Sequence, residues 1–307
     1  MKVRNFSIVL VLLLVSGFVV KAQDYDFRVL VNKGANEVKA GSGSWAALKT
    51  GAKLKDGEEI KIVDDGYLGL VHSSGKTQEL KSAGTYDVAT LSSGVVAGSK
   101  NIATKYADFV LSKMSPEEQE ENRRKYASVT GAVERGDDDA SINLFMPTSV
   151  SIYNSTAIIR WDPVKPNAIY QVKLKNIFEE VIMVAETTDT SYPIDFNDPK
   201  IANAAIENLV IVKVFLKDNE DIKSKDAAIE RITKEDEPEF AGELADLKSS
   251  LGGTETSIND LILAEFYEEN GLMLDALTSY ENSIKLSPDV PYYQEAYEEF
   301  LLRTGLK

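Results

Sequence analysis

Cysteine is absent from all 307 residues. That excludes disulfides, thiol nucleophiles and thiolate metal sites, so stability has to come from packed cores. Histidine is nearly absent too, His72 being the single one. A histidine-rich metal site is therefore out, and Ser-His-Asp catalysis would rest wholly on His72. That residue falls in phase with Leu68 and Leu70, and it reads as a strand histidine at a core margin, not as a metal ligand or general base. The nucleophile elbow, the phosphate-binding loop, the dinucleotide fingerprint and the His-Glu-x-x-His helix are all missing. A carboxylate-pair glycosidase stays formally open, because 49 acidic residues always supply pairs, but small domains argue against a substrate cleft. The expectation is a non-enzyme with no cofactor and no metal. Cations are scarce as well: 34 Lys and Arg against 49 Asp and Glu leave a net charge of −15. Such a surface repels nucleic acid and anionic membranes.

Long apolar runs are missing with one exception, Phe6–Val20, which follows Lys2 and Arg4 and precedes Lys21-Ala22-Gln23. A basic start, an apolar stretch and the Val20-x-Ala22 pattern predict a secretory signal peptide over 1–22, cut after Ala22. The competing uncleaved anchor needs about 20 apolar residues, more than this run offers. With no cysteine after the cut, a lipoprotein is excluded, and no later segment is apolar enough to span a membrane. Losing Lys2, Arg4 and Lys21 takes the charge from −15 to −18.

Residues 25–91 read as a small all-β domain. Strands are expected at 27–31, 59–63, 67–72, 77–81 and 85–88, separated by glycine-rich turns. In Tyr67–His72, Leu68 and Leu70 face one way while Tyr67 and Val71 face the other. Trp45 reads as a core aromatic here. The string Gly43-Ser-Trp45, Leu48, Gly51, Leu54, Gly57, Ile60, Tyr67, Leu70, Gly75, Leu80, Gly84 and Tyr86 resembles a FecR-type domain. The resemblance implies a periplasmic β module of a Gram-negative envelope. The cytoplasmic segment and membrane helix of FecR regulators have no counterpart here, so anti-sigma activity is not implied.

A helical connector is expected over 92–143. Ile102, Tyr106, Phe109, Val110 and Met114 lie on one helical face, and Ser115-Pro116 opens a second, highly charged helix near 117–129. The aspartates of Gly136–Ala140 read as a solvated linker, since the other ligand positions of a calcium loop are missing. Strands return over 144–233, at 149–153, 157–161, 169–174, 181–185 and 209–216, with a short helix after Pro199. Trp161-Asp-Pro163 followed by Tyr170-Gln-Val-Lys-Leu174 is similar to the second and third strands of a fibronectin type III or immunoglobulin-like sandwich. That resemblance implies a core tryptophan faced by the tyrosine, in a spacer or binding module.

Region 234–307 is helical. Phe240, Leu244, Leu247 and Leu251 mark one helix, and Ser257–Val290 forms a 34-residue unit of two helices broken at Asn270-Gly271. Leu263, Ala264, Tyr267, Gly271, Ala276, Tyr280, Ser283 and Pro288 sit at the spacing of a tetratricopeptide repeat (TPR), which the unit resembles; Asp260 stands where that pattern has its first aromatic. Gly305 repeats the position of Gly271, and the helices near 240–251 and 292–304 are expected to cap the repeat. The resemblance implies a protein-binding groove lined by Ile258, Leu261, Glu265, Glu268 and Glu269, whose glutamates favour a basic partner. The competing reading makes those glutamates the wet face of an acidic helix.

The fold class expected is thus multidomain β plus α: two small all-β domains followed by a C-terminal α-helical array. The function expected is an exported adaptor or scaffold that binds envelope proteins through 234–307. The alternative is a sensing or glycan-binding module built on the FecR-like region, with contacts near Trp45 and Tyr67.

Overall fold

The computed structural model describes residues 25–95, 102–130 and 142–306. The expected signal peptide and the Asp137–Asp139 run lie outside the described residues. The chain is of mixed β-plus-α class, with sixteen strands, largely antiparallel, and eight helices among the described residues.

The first β unit contains β1 (Phe27–Lys33), β2 (Glu37–Ala40), β3 (Ala46–Ala47), β4 (Lys53–Leu54), β5 (Glu58–Ile62), β6 (Tyr67–His72), β7 (Thr77–Leu80) and β8 (Gly84–Asp87), closed by the short α1 (Val88–Ser93). Two four-stranded sheets form, ordered β4-β1-β6-β7 and β3-β2-β5-β8. Between them lies a core that includes Phe27, Val29, Leu54, Ile60, Leu68 and Leu70. Alternation along β6 sends Leu68 and Leu70 into this core and Tyr67 and Val71 to the opposite face. A bulge in β1 between Val29 and Val31 inverts its phase, so Leu30 and Val31 both turn to that opposite face. His72 lies at the core margin, edge-on to Phe27 at 5.0 Å and hydrogen-bonded to Ser74 and Ser92. Trp45 is not a core residue: it is half-buried on the surface, with the Lys39 and Lys61 ammonium groups 4.8 and 5.7 Å from its ring centre. Its neighbours in β3 are exposed, so the strand is too marginal to carry an indole inward.

The second β unit comprises β9 (Ser149–Ile152), β10 (Thr156–Arg160), β11 (Tyr170–Lys175), β12 (Val181–Thr187), β13 (Ser191–Asp195), β14 (Leu209–Leu216), β15 (Asn219–Lys223) and β16 (Ala227–Arg231), with α4 (Pro199–Ala202) before β14. One sheet runs β12-β11-β14-β16-β9, β15 also pairing with β14, and β10 pairs with β13 in a second sheet. All pairs are antiparallel except β16 with β9. β14 shows strict alternation, Val210, Val212, Val214 and Leu216 turning inward. Trp161 is 1% exposed and meets Tyr170 edge-on at 5.3 Å, while the Tyr170 hydroxyl accepts from Val164 N at 2.9 Å.

The remaining helices are α2 (Ile102–Lys113), α3 (Pro116–Thr130), α5 (Pro238–Leu251), α6 (Ser257–Glu269), α7 (Met273–Leu286) and α8 (Pro291–Thr304). The turn from α6 into α7 needs a left-handed residue, which Gly271 supplies at φ 75°, and Gly305 repeats this at φ 67°. These helices do not form a separate body. One core joins Leu30, Val31, Tyr67 and Val71 of the first sheet with Ala103, Tyr106 and Val110 of α2 and with the apolar faces of α5 to α8. The helix expected in a connector is thus part of the C-terminal helical core. At the other side, α7 docks on the second β unit. There Asp275 accepts from Tyr153 N and Asn154 Nδ2 at 2.7 Å each, Arg160 forks onto Glu281 at 2.5 Å, and Leu274 enters that unit's core.

Candidate functional site

Helix α6 has two faces with different fates. The face implied as a protein-binding groove is closed within the chain. Ile258 is 0% exposed, Leu261 1%, Glu265 1% and Glu268 9%; only Glu269 reaches solvent. Ile258 presses on the first sheet beside Gly69, and Leu261 joins the shared core. Helix α2 covers the glutamates and ends on Lys113, whose ammonium lies 2.7 Å from Glu265, 3.0 Å from Glu268 and 2.7 Å from Glu269. From α8, Arg303 grips Glu268 through both oxygens at 2.6 Å, and the Tyr280 hydroxyl donates to the same carboxylate at 3.0 Å. The basic partner suggested by three glutamates is therefore found inside the molecule. The face is covered because α2 and α8 bring an apolar stripe and two cations, from about 150 residues upstream and 35 downstream.

This cluster is electrostatically tight. Burial pushes the Glu268 carboxyl up, but the Arg303 and Lys113 cations outweigh it and hold the group below its usual range. Glu265 is pushed up to about 7, by burial first and then by Glu268, with Lys113 opposing. The geometry is that of a structural fastener: Lys113 and the Nε and Nη2 of Arg303 are spent on acceptors within the chain, and only Arg303 Nη1 is buried without one among the described residues.

The residues of the repeat pattern take packing roles. Ala264, Tyr267, Ala276, Tyr280 and Ser283 are buried, Leu263 is half-buried, and Pro288 is exposed in the turn before α8. Ala264 and Ala276 let α6 and α7 approach, and Tyr280 stacks at 4.9 Å on Phe300 of α8.

The opposite face of α6 is open. Asp260, Leu263 and Tyr267 project into a cleft of about 380 Å³ between α5, the turn after it, and α7. Lys248 and Leu251 stand on the α5 wall, Glu255 in the turn, and Ser279 and Asn282 on α7. Asn154 reaches in from the second β unit but is committed to Asp275, and Asn259 to the Leu251 and Thr254 carbonyls. Asp260 is pushed up to about 7, chiefly by burial, then by the negative charges of Glu255 and Glu79. Of the cleft residues, Leu251, Leu263 and Tyr267 stood out in the sequence only as packing positions, and Asp260 as the departure from the repeat pattern. A polar residue in place of a large ring leaves space.

Comparison with protein families, curated proteins and solved structures finds no match to this chain. Among the described residues, no helix is long and apolar enough to cross a membrane, and no three His, Asp or Glu side chains converge as a metal site requires.

Proposed function

We propose that the chain is a non-enzymatic, exported adaptor of the cell envelope that holds a protein partner against its C-terminal helices. The observation that carries the reading is the open, mixed-polarity cleft on α6, a helix whose opposite face is filled by the chain itself. Export rests on the sequence pattern of 1–22. The finer architecture belongs to the same proposal. The first unit is read as a FecR-like module. The second is read as an immunoglobulin- or fibronectin III-like sandwich, supported by the Trp161–Tyr170 pair and the parallel β9–β16 edge. The helices α6 and α7 are read as one TPR-like hairpin capped by α5 and α8. The two β units then act as rigid supports: one buttresses α6 through Tyr67 and Val31, the other α7 through Asp275 and Arg160.

The test is a photocrosslinking residue placed in cells at Asn282, on the cleft rim, with Glu220 on the β14–β15 hairpin as the control position. A discrete adduct from position 282 and none from 220 supports the adaptor reading. No adduct from 282, at normal expression, removes it. An adduct from a crosslinker at Trp45 alone would favour the alternative, a sensing module in the first β unit.

A further inference from the structure

The Asp260 carboxylate lines the cleft without a hydrogen-bond or ion-pair partner among the described residues. The charged groups around it make this an unfavourable state. Glu255 flanks it from the turn, and Glu79 reaches it from β7, where it accepts from Ile258 N and pairs with Lys81. Tyr267 lies on the same helix, and Asp275 stands behind on α7. The one cation on the wall, Lys248, acts on Asp275 rather than on Asp260. The surplus is negative, and it adjoins apolar surface: Leu263 and Tyr267 follow Asp260 on its own face, and Leu251 faces them.

We propose that this cleft receives a lysine or arginine side chain presented by a partner polypeptide. Its cation pairs with Asp260 and Glu255, and its methylene stem lies on Leu263 and Tyr267. The amphipathic character of such side chains matches a wall that sets the Asp260 and Glu255 carboxylates beside the apolar surface of Leu251, Leu263 and Tyr267. A volume of about 380 Å³ exceeds one side chain and leaves room for flanking backbone, for which Ser279 and Asn282 carry uncommitted polar groups. The net charge of −15 steers a basic partner towards the molecule. The polypeptide source rests on the adaptor reading; the chemistry of the site does not.

The test uses the chain from Gln23 onward and three blocked tripeptides, Ac-Ala-Arg-Ala-NH2, Ac-Ala-Lys-Ala-NH2 and Ac-Ala-Gln-Ala-NH2, followed by methyl and amide NMR shifts. The basic probes should move Leu263 and Tyr267 resonances saturably, and the glutamine probe should not. D260N should weaken the basic probes about tenfold or more, the usual effect of removing a charged acceptor. Binding should strengthen from pH 6 to pH 8 as Asp260 ionises. Equal binding of the arginine and glutamine probes, or unchanged binding to D260N, overturns the inference, the second because it reduces the effect to general attraction by an acidic chain. Free argininamide binding as tightly as the tripeptide overturns the polypeptide source. If no probe binds while crosslinking from position 282 persists, this inference fails and the adaptor reading stands. If the probes bind and no partner is ever captured, the adaptor reading fails and the cationic site stands.

Discussion

Replacing Asp260 with asparagine should make the chain more stable at neutral pH, by an amount that grows with pH. In the folded chain the Asp260 carboxyl is raised from its ordinary 3.8 to about 7, by burial and then by Glu255 and Glu79. A raised folded pKa means that the native state holds a proton the unfolded state gives up. Stability from this group is present in full below about pH 4, declines as pH rises towards 7, and is lost above it. A displacement from 3.8 to about 7 corresponds to about 4 kcal/mol. The same displacement fixes where it develops: about 1.5 kcal/mol has appeared by pH 5 and the rest follows between pH 5 and pH 8.

The assay is urea unfolding of wild type and D260N at intervals from pH 5 to pH 8.5. Because Glu265 is also pushed up to about 7, the wild-type curve alone does not isolate Asp260, and the difference between the two proteins is the informative quantity. That difference should grow in favour of asparagine by about 2–3 kcal/mol between pH 5 and pH 8. A difference that is flat with pH, or an asparagine variant less stable at pH 8, refutes the reasoning. So does a carboxyl ¹³C titration of Asp260 centred near 4.

Three further outcomes follow from the packing. Arg303→Ala strips Glu268 of its two-pronged partner while leaving the carboxylate buried, and should cost about 3–5 kcal/mol in chemical denaturation; a loss under about 1 kcal/mol would show that Lys113 alone satisfies the group. In Gly69→Ala the new Cβ would lie 3.2 Å from Ile258 Cδ1 and 3.3 Å from Val31 Cβ, which should cost about 1–3 kcal/mol. Adding Ile258→Val removes that Cδ1 and should recover part of the loss; no recovery would place the strain elsewhere. A chain ending at residue 233 loses most of the shared helical core and leaves Val31, Tyr67, Tyr106 and Val110 uncovered, so it should bind a hydrophobic dye and lose protection of β1 and β6 in amide exchange. A sharp, cooperative unfolding transition for that truncation would mean that the β units stand without the helices.

How much of this was legible in the sequence depends on how far apart the interacting residues lie. Local periodicity located β6, β14, α2 and the α6–α7 hairpin, because each carries a strong apolar pattern. It missed β2 and β15, whose faces are half-buried or exposed and whose alternation is therefore weak, and β16, a short strand that turns only Ala227 and Ile229 inward. For β6 it supplied the phase of the two faces and not their cover. Apolar residues on both faces mean a strand covered on both sides, so Tyr67 and Val71 had to meet something. What they meet is α6 and α8, with Tyr293 bonding the Tyr67 hydroxyl at 2.6 Å from 226 residues away, and no periodicity contains that. The same limit governs Glu265 and Glu268. Helical spacing puts them on one face with Ile258 and Leu261, but whether that face binds a partner, meets water or is covered depends on Lys113 and Arg303, which nothing local identifies. A face that begins with two large apolar residues is costly to leave wet, but the two readings weighed from spacing were a partner groove and a wet face, and neither is the cover found. At Asp260 the reasoning runs the other way. A charged residue in the position of a packing aromatic is a local conflict, and conflicts of that kind persist where another requirement outweighs stability. The cost worked out for Asp260 is the size of that conflict, and a cation delivered from outside the chain would remove it.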